Sequence, residues 1–462
     1  MTAAAADRGS FRDPGSRIFS DGGRILRAIM PPAASAYEAA RDSGLIADLV
    51  GRRSLLAAEE RDPACLGLEA APAYVLEHPR LPFVSYPYEW GFALLRRAAL
   101  HHLDVQLDAL AAGFALSDAS AYNIQFVGPR PVFIDHGSFR PYVEGEPWIG
   151  HRQFCMQFLN PLLLWSRRGV AANGWFRGSL EGIAPEELAP LLSWRDNLSW
   201  TVLTHVTGQA ALQRRANSGR LNGGKARAPR LSRPAFEAIL TGLRGFIARC
   251  RLRDEKTVWR DYAQDNSYAG AEAAAKRAFV AEMAAKVRPR LLFDFGCNSG
   301  DYARAALDAG AGSVVGFDAD HGALERAVGR ADAEALDFLP LWLDAANPSP
   351  AQGWAEAERK GLGERGRADA LLALAFVHHL AIGRNVPLAM VVDWLVGMAP
   401  VGIVEFPPKS DPMVRRLLAA RPDIFADYDE AAFLAAVGVR ARLVRTRHLS
   451  PGGRLLAWYD RG

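Results

Sequence analysis

Leu291-Leu292-Phe293-Asp294-Phe295-Gly296-Cys297-Asn298-Ser299-Gly300, written LLFDFGCNSG, is the stretch on which the fold turns. An apolar run of strand length ends in an acid and breaks into a loop of small residues. A buried parallel strand hands over to a ligand-binding turn in this way. A dinucleotide fingerprint reads G-x-G-x-x-G, and its second glycine lets the backbone approach a pyrophosphate. Here Asn298 takes that second position, so the loop suits a nucleoside ligand that carries no pyrophosphate.

Downstream, apolar runs and helical patterns alternate to the end of the chain, the mark of a parallel α/β sheet. VVGFDAD (314–320) supplies a second strand ending in Asp318. A carboxylate there suits a vicinal diol, because it accepts two hydrogen bonds. LPLWLDAAN (339–347), DALLALAFVHHL (369–380) and IVEFPPKSD (403–411) follow as third, fourth and fifth strands with their loops.

These five pieces, in this order, resemble the class I S-adenosylmethionine-dependent methyltransferases over roughly residues 257–462. The resemblance implies an α/β Rossmann-like methyltransferase domain. In that family the acid before the loop and the loop backbone hold the methionine end of the cofactor, here Asp294, Gly296, Cys297 and Gly300. It implies that Asp318 grips the ribose, that Asp344 and Ala345 meet adenine, and that Leu374 and Ala375 line the cofactor. His378 and His379 then fall at the mouth of the site. A neutral histidine suits removal of a proton from a hydroxyl acceptor near pH 7, and Glu405 is the other candidate acid or base. The segment upstream of the fingerprint offers Trp259, Tyr262 and Tyr268 as residues folding over the cofactor.

Length and composition bound the rest. The 462 residues predict two or three domains, and half of them are hydrophobic. The formal net charge of +4 gives no strong nucleic-acid signal. One basic run, 213–233, holds seven basic residues and no acid; it reads as a solvated loop. The four cysteines, Cys65, Cys155, Cys250 and Cys297, show no CxxC spacing, so neither a disulfide framework nor a zinc site is expected. The N-terminus lacks a signal-peptide pattern, and no apolar run reaches the ~20 residues of a membrane span. The expected location is the cytoplasm. The domains are placed at 1–250 and 251–462.

The first domain opens on short strands and Gly-rich turns, followed by a helix. AYVLEH (73–78) and LPFVSY (81–86) read as strands, Trp90 to Gly113 as a long helix, and IQFVGPRPVFID (124–135) as a hairpin. Within SDASAYNIQFVGPRPVFIDHGSF (117–139), Asp118 and Asn123 form D-x-x-x-x-N, and Asp135 ends an apolar strand before His136-Gly137. This stretch resembles the catalytic core of the kinase-like phosphotransferases, with DHG where D-F-G would stand. The resemblance implies an N-terminal α+β kinase-like domain with Asp118 as base. It also implies that Asn123 and Asp135 hold Mg2+ against ATP. Glu38 is the candidate partner of Arg24 or Arg27. The chain departs from the pattern in three places: it has no G-x-G-x-x-G loop, no V-A-I-K lysine, and Leu116-Ser117 instead of His-Arg before the Asp.

The expected activity is methyl transfer to a hydroxyl-bearing small molecule or a glycan or lipid-linked acceptor. The alternatives are a bifunctional kinase-methyltransferase and a nucleotide-binding regulatory protein without catalysis.

Overall fold

The computed structural model describes residues 4–217, 230–253, 269–419 and 421–462. Trp259, Tyr262, Tyr268 and most of the basic run 213–233 lie outside the described residues. The chain forms two compact units. One takes in Met1–Phe126, Arg130–Glu255 and Ala351–Arg359; the other Val127–Pro129, Lys256–Pro350 and Lys360–Gly462.

The N-terminal unit begins with strands β1 (Ala5–Ala6), β2 (Ser16–Asp21), β3 (Arg24–Ile29), β4 (Glu59–Arg61) and β5 (Tyr74–His78). They pair antiparallel in the order β1-β2-β3-β5-β4. A helix, Pro31–Asp42, leaves β3 with proline at its first turn, where no backbone N–H is needed. The long helix Phe92–Ala111 buries Leu95, Ala98, His102, Gln106 and Ala109, a three- and four-residue spacing, and Leu94, Leu103 and Leu110 beside them. Next come β6 (Phe114–Leu116), β7 (Ile124–Val127), β8 (Arg130–Phe133) and β9 (Phe139–Pro141), as the pairs β6/β9 and β7/β8.

LPFVSY is not a strand. The Ser85 N–H donates to Gln125 Oε1 at 3.0 Å, and Gln125 Nε2 donates to the Ser85 carbonyl at 2.9 Å. A buried amide side chain satisfies this backbone in place of a neighbouring strand.

The C-terminal unit holds β10 (Leu291–Phe295), β11 (Ser313–Asp318), β12 (Phe338–Trp342), β13 (Ala370–Ala373), β14 (Val401–Phe406), β15 (Arg442–His448) and β16 (Leu455–Asp460). Their order is β12-β11-β10-β13-β14-β16-β15. The first five run parallel and β16 runs antiparallel to β14. Strands β10, β11 and β13 are buried almost end to end, as expected for parallel strands covered on both faces. The helix Ala269–Val287 puts Phe279, Val280 and Met283 into a core shared with Leu292, Val314, Leu324, Ile403 and Trp458. Each such side chain contributes about 1.5–3 kcal/mol on burial.

The chain leaves β10 towards β11 and β12, then returns to place β13 on the other side of β10. This reversal opens a crevice at the carboxyl ends of β10 and β13, where ligands bind in open α/β sheets. The strand order and register define a Rossmann-like α/β fold.

Candidate functional site

At the end of β10 the chain turns through three left-handed residues, Gly296 (φ +76), Asn298 (φ +47) and Gly300 (φ +84). Asparagine is among the few side chains that tolerate this region. Gly300 is required on two counts. Beyond its φ, a Cβ there would lie 2.5 Å from the Phe338 ring.

The Gly296 and Cys297 amides both donate to the Phe317 carbonyl, at 2.8 and 3.2 Å, and the Cys297 carbonyl accepts from Gly300 N at 2.9 Å. Cys297 therefore shapes the turn with its backbone and buries its thiol in the core. A Cβ on Gly316 of β11 would meet that sulfur at 2.7 Å, so the strand needs glycine opposite it. Burial raises the Cys297 pKa far above the ordinary thiol range.

Asp294 is 1 % exposed, and its Oδ2 has no hydrogen-bond partner among the described residues. Burial, then the charges of Asp318 and Asp301, push its carboxyl up to about 7. A buried acceptor without a donor carries a desolvation penalty that a cationic donor would offset. Asp318 sits across the loop. Its Oδ2 accepts from Asn298 N at 2.8 Å and its Oδ1 from Asp320 N at 2.9 Å. Burial is the largest cause of its raised pKa. Each oxygen keeps one acceptor site, enough for a pair of hydroxyls.

On one side, the Leu343 N–H donates to the Asp318 carbonyl at 3.0 Å, bringing the Asp344–Ala345 turn beside Asp318. Arg384 reaches Asp344 Oδ2 at 3.3 Å. The Trp342 ring stacks on His321 at 6.0 Å, an aromatic pair beside Asp318 that strand patterning does not single out. On the other side, a Cβ on Gly296 would touch Phe376 at 3.2 Å, so the loop after β13, with Leu374 and Ala375, closes on the fingerprint turn.

His378 and His379 follow on a short helix, Val377–Ala381, their rings 4.0 Å apart. Neither ring nitrogen of His378 has a partner among the described residues. Burial, then His379, drives the His378 pKa down to about 2, and burial takes His379 to about 4. Both rings are neutral at pH 7, ready to accept a proton but weakly basic.

Glu405 is fully buried. Lys276 Nζ lies 2.7 Å from its Oε1 and 2.9 Å from its Oε2, Ala375 N donates to Oε2 at 2.7 Å, and Arg454 reaches Oε1 at 3.3 Å. A carboxylate held by three donors orders the loop after β13. Lys276 and Arg454 carry no motif and are found only through the fold.

In the N-terminal unit, Asp118, Asn123 and Asp135 converge. Ser117 N donates to the Ser138 carbonyl at 2.8 Å and Ile134 N to the Asn123 carbonyl at 2.9 Å, tying the three segments together. Asn123 Nδ2 donates to both Asp118 oxygens, at 2.9 and 3.2 Å, and Ser138 Oγ donates to Oδ1 at 3.2 Å. Burial, then the charge of Asp135, pushes Asp118 up to about 7.

Two expectations need correction. Glu38 pairs with neither Arg24 nor Arg27; it accepts from Tyr74 Oη at 2.6 Å, while Arg24 pairs with Glu77. And Arg27 is the cation at Asp135: its NH1 lies 2.7 Å from Oδ1, and Gly137 N donates to the same oxygen at 3.1 Å. Asn123 turns its amide donor inward to Asp118. Mg2+ takes oxygen ligands in near-octahedral array, and here Arg27 and the Gly137 N–H already occupy one Asp135 oxygen.

A Rossmann-like domain with an acid-lined crevice at its switch point, joined to an α+β unit, defines the class. No protein-family model matches the chain. It is 46% identical over 449 residues to the nodulation protein NoeA of Rhizobium meliloti (strain 1021), covering 96% of this chain and 94% of that one. The chain belongs to the family of that protein. Among solved structures it is similar to magnesium protoporphyrin IX methyltransferase (ChlM) from Synechocystis PCC 6803. That match has 19% identity and a TM-score of 0.32, over 44% of this chain and 93% of that one. It is also similar to the N-methyltransferase NodS from Bradyrhizobium japonicum WM9. There the identity is 12% and the TM-score 0.31, over 41% and 97%. Among the described residues no helix is long and apolar enough to cross a membrane.

Proposed function

We propose that the chain is an S-adenosylmethionine-dependent methyltransferase acting on a hydroxyl-bearing small molecule or a glycan or lipid-linked acceptor in the cytoplasm. The observation that carries this reading is the unpartnered, buried Oδ2 of Asp294 at the carboxyl end of β10. When bound, the cofactor supplies an activated methyl group on a sulfonium. Asp294 accepts from its ammonium, Asp318 from the ribose hydroxyls, and the Asp344–Ala345 turn borders the base. The loop Leu374–Ala375 excludes water from the sulfonium side. His378 or His379 takes the acceptor's proton, and the low basicity of both requires the acceptor to be activated by its approach to the methyl group. The fully paired Glu405 is left with a positioning part.

A second reading concerns the N-terminal unit. The convergence of Asp118, Asn123 and Asp135 favours a kinase-like fold, with residues 1–250 as its span and 251–462 as the methyltransferase. Arg27 on Asp135 speaks against phosphotransfer, and so against the bifunctional alternative. A purely regulatory protein would bind cofactor without turnover.

Titration calorimetry of the full chain with S-adenosylmethionine should show binding that Asp318→Ala weakens roughly tenfold or more, since a hydrogen bond to a charged group contributes ~1.5–3 kcal/mol. Absence of binding by the wild-type chain would overturn the reading.

The affinity should also depend on pH. With Asp294 held near 7, the free site carries a proton that must leave before a cation can bind. Affinity should fall by roughly tenfold per unit as pH drops from about 7 towards 5. For stability the sign is opposite. Between about pH 4 and 7 the folded chain holds a proton that the unfolded chain has lost, so this group makes the ligand-free protein less stable as pH rises. Asp294→Asn should flatten both trends; an identical pH slope in that variant would remove Asp294 from the site.

A further inference from the structure

We propose that His151, Cys155 and His205 of the N-terminal unit bind a divalent transition-metal cation of the Zn2+ class. Their ligand atoms all lie within 4.8 Å of one another. His151 Nε2 is 2.7 Å from His205 Nδ1. The cluster shares no residue with the crevice of the C-terminal unit or with Asp118, Asn123 and Asp135. Two imidazoles and a thiolate are the donor set that a borderline-soft cation selects, whereas Mg2+ and Ca2+ take oxygen.

The backbone shows why these residues meet. His151 opens the helix His151–Phe154, which continues as a π-helical turn, Cys155–Leu159. His205 lies in another π-helical turn, Leu203–Thr207. Such turns are uncommon and frequently mark functional sites. Of the three π turns among the described residues, two each carry one member of the cluster and the third, Leu164–Arg168, carries none. Cys155 is fully buried, while His151 and His205 are half-buried. The site is thus closed on the sulfur side and open to solvent on the imidazole side, which gives a cation a way in.

Gln209 completes the surroundings. Its amide nitrogen is 2.8 Å from His151 Nδ1 and 3.8 Å from Cys155 Sγ, and its Oε1 is buried with no partner among the described residues. Amide orientation is assigned from the network, and turning it over exchanges oxygen for nitrogen. The turned amide offers an oxygen to the fourth, tetrahedral position. The imidazoles need only separate to about 3.3 Å, the spacing set by Zn–N bonds of about 2.0–2.1 Å. Binding forms one Zn–S, two Zn–N and one Zn–O bond as the hydrated cation sheds its waters; the His151–His205 hydrogen bond breaks, its N–H hydrogen moves to the other nitrogen of that ring, and the Cys155 proton leaves to solvent.

The consequence reaches the first domain's acidic cluster. From the same stretch, Gln153 Oε1 accepts from Ala119 N at 2.8 Å and Gln157 Oε1 from Ala121 N at 2.7 Å. A cation that pins this helix to the one carrying His205 also pins the Asp118–Asn123 segment.

The test is Co2+ titration of the metal-stripped full chain, followed by optical spectroscopy and Zn2+ competition. A single Co2+ per chain should give tetrahedral d–d bands and a thiolate-to-cobalt charge-transfer band, both removed by Zn2+. Cys155→Ser should abolish the charge-transfer band. His205→Gln, at a half-buried position that tolerates substitution, should weaken binding at least tenfold. Cys65→Ser, altering an exposed thiol, should change nothing. The proposal is overturned if wild type shows no thiolate-to-cobalt band at stoichiometric metal. It is equally overturned if the band survives Cys155→Ser, or if His205→Gln leaves affinity unchanged.

Discussion

Glu405→Gln is expected to lower the stability of the C-terminal unit by about 3–5 kcal/mol, the cost of removing one partner from a buried charge network. Glu405 is 0 % exposed and Lys276 7 %. The neutral amide leaves the Lys276 ammonium buried without its counter-charge. Arg454 is less affected, because Asp411 Oδ2 holds it at 2.7 Å. The same substitution weakens the bond that holds Ala375 in a left-handed conformation (φ +50), which costs about 1–3 kcal/mol for a residue with a side chain. Leu374 and the two histidines follow directly, so damage should spread to the cofactor crevice. For a unit of about 200 residues the melting temperature should fall by roughly 10 °C. Lys276→Met should cost a similar amount. The pair Glu405→Gln with Lys276→Met should cost less than the sum, because no charge is then stranded. Calorimetric melting of the four proteins decides the matter. If Glu405→Gln abolishes methyl transfer and leaves the melting temperature within a degree or so, Glu405 is an acid–base residue and the positioning reading is wrong.

The same residues show where reading the sequence stops. LLFDFG and VVGFDAD are legible because a parallel strand buried on both faces must be continuously apolar, and because an acid at its end breaks the run. The hairpin 124–135 is legible for a similar reason: its turn chemistry is local. LPFVSY has the composition of a strand, but Gln125, 40 residues away, takes its backbone hydrogen bonds. Lys276 and Glu405 are 129 residues apart, and nothing in a run of alanines and charges announces the pair. Charge alone matches Glu38 to an arginine, whereas the helix Pro31–Asp42 brings it to Tyr74 Oη. The absence of a CxxC spacing argued against a zinc site, yet His151 and His205 meet across 54 residues. Spacing rules see ligands that share a turn; they are blind to ligands brought together by two packed helices.

Arg27→Met is expected to destabilise the N-terminal unit by about 3–5 kcal/mol, again because a buried charge loses its partner. Arg27 has a side chain 9 % exposed, and that of Asp135 is 17 % exposed. The guanidinium makes three contacts: NH1 donates to Ser16 Oγ and to Asp135 Oδ1, both at 2.7 Å, and NH2 donates to the Ile134 carbonyl at 2.9 Å. It thereby ties the hydrogen-bonded pair β2/β3 to the end of β8. Methionine fills much of the volume but leaves Asp135 with the Gly137 N–H alone, next to the charge of Asp118. Arg27→Lys keeps the charge and should cost less, yet not nothing, since one ammonium cannot span the three acceptors that the planar fork reaches. A second substitution separates lost charge from lost packing. In Arg27→Met, Asp135 is a carboxylate without its cation. Asp135→Asn on top of Arg27→Met removes that stranded charge and should recover part of the loss, while the lost packing of Arg27 remains. Denaturant melts of wild type and the two variants read this directly. A double variant as unstable as Arg27→Met would mean that Arg27 acts by packing alone, and the cation at Asp135 would lose its claim to stand where a metal is expected.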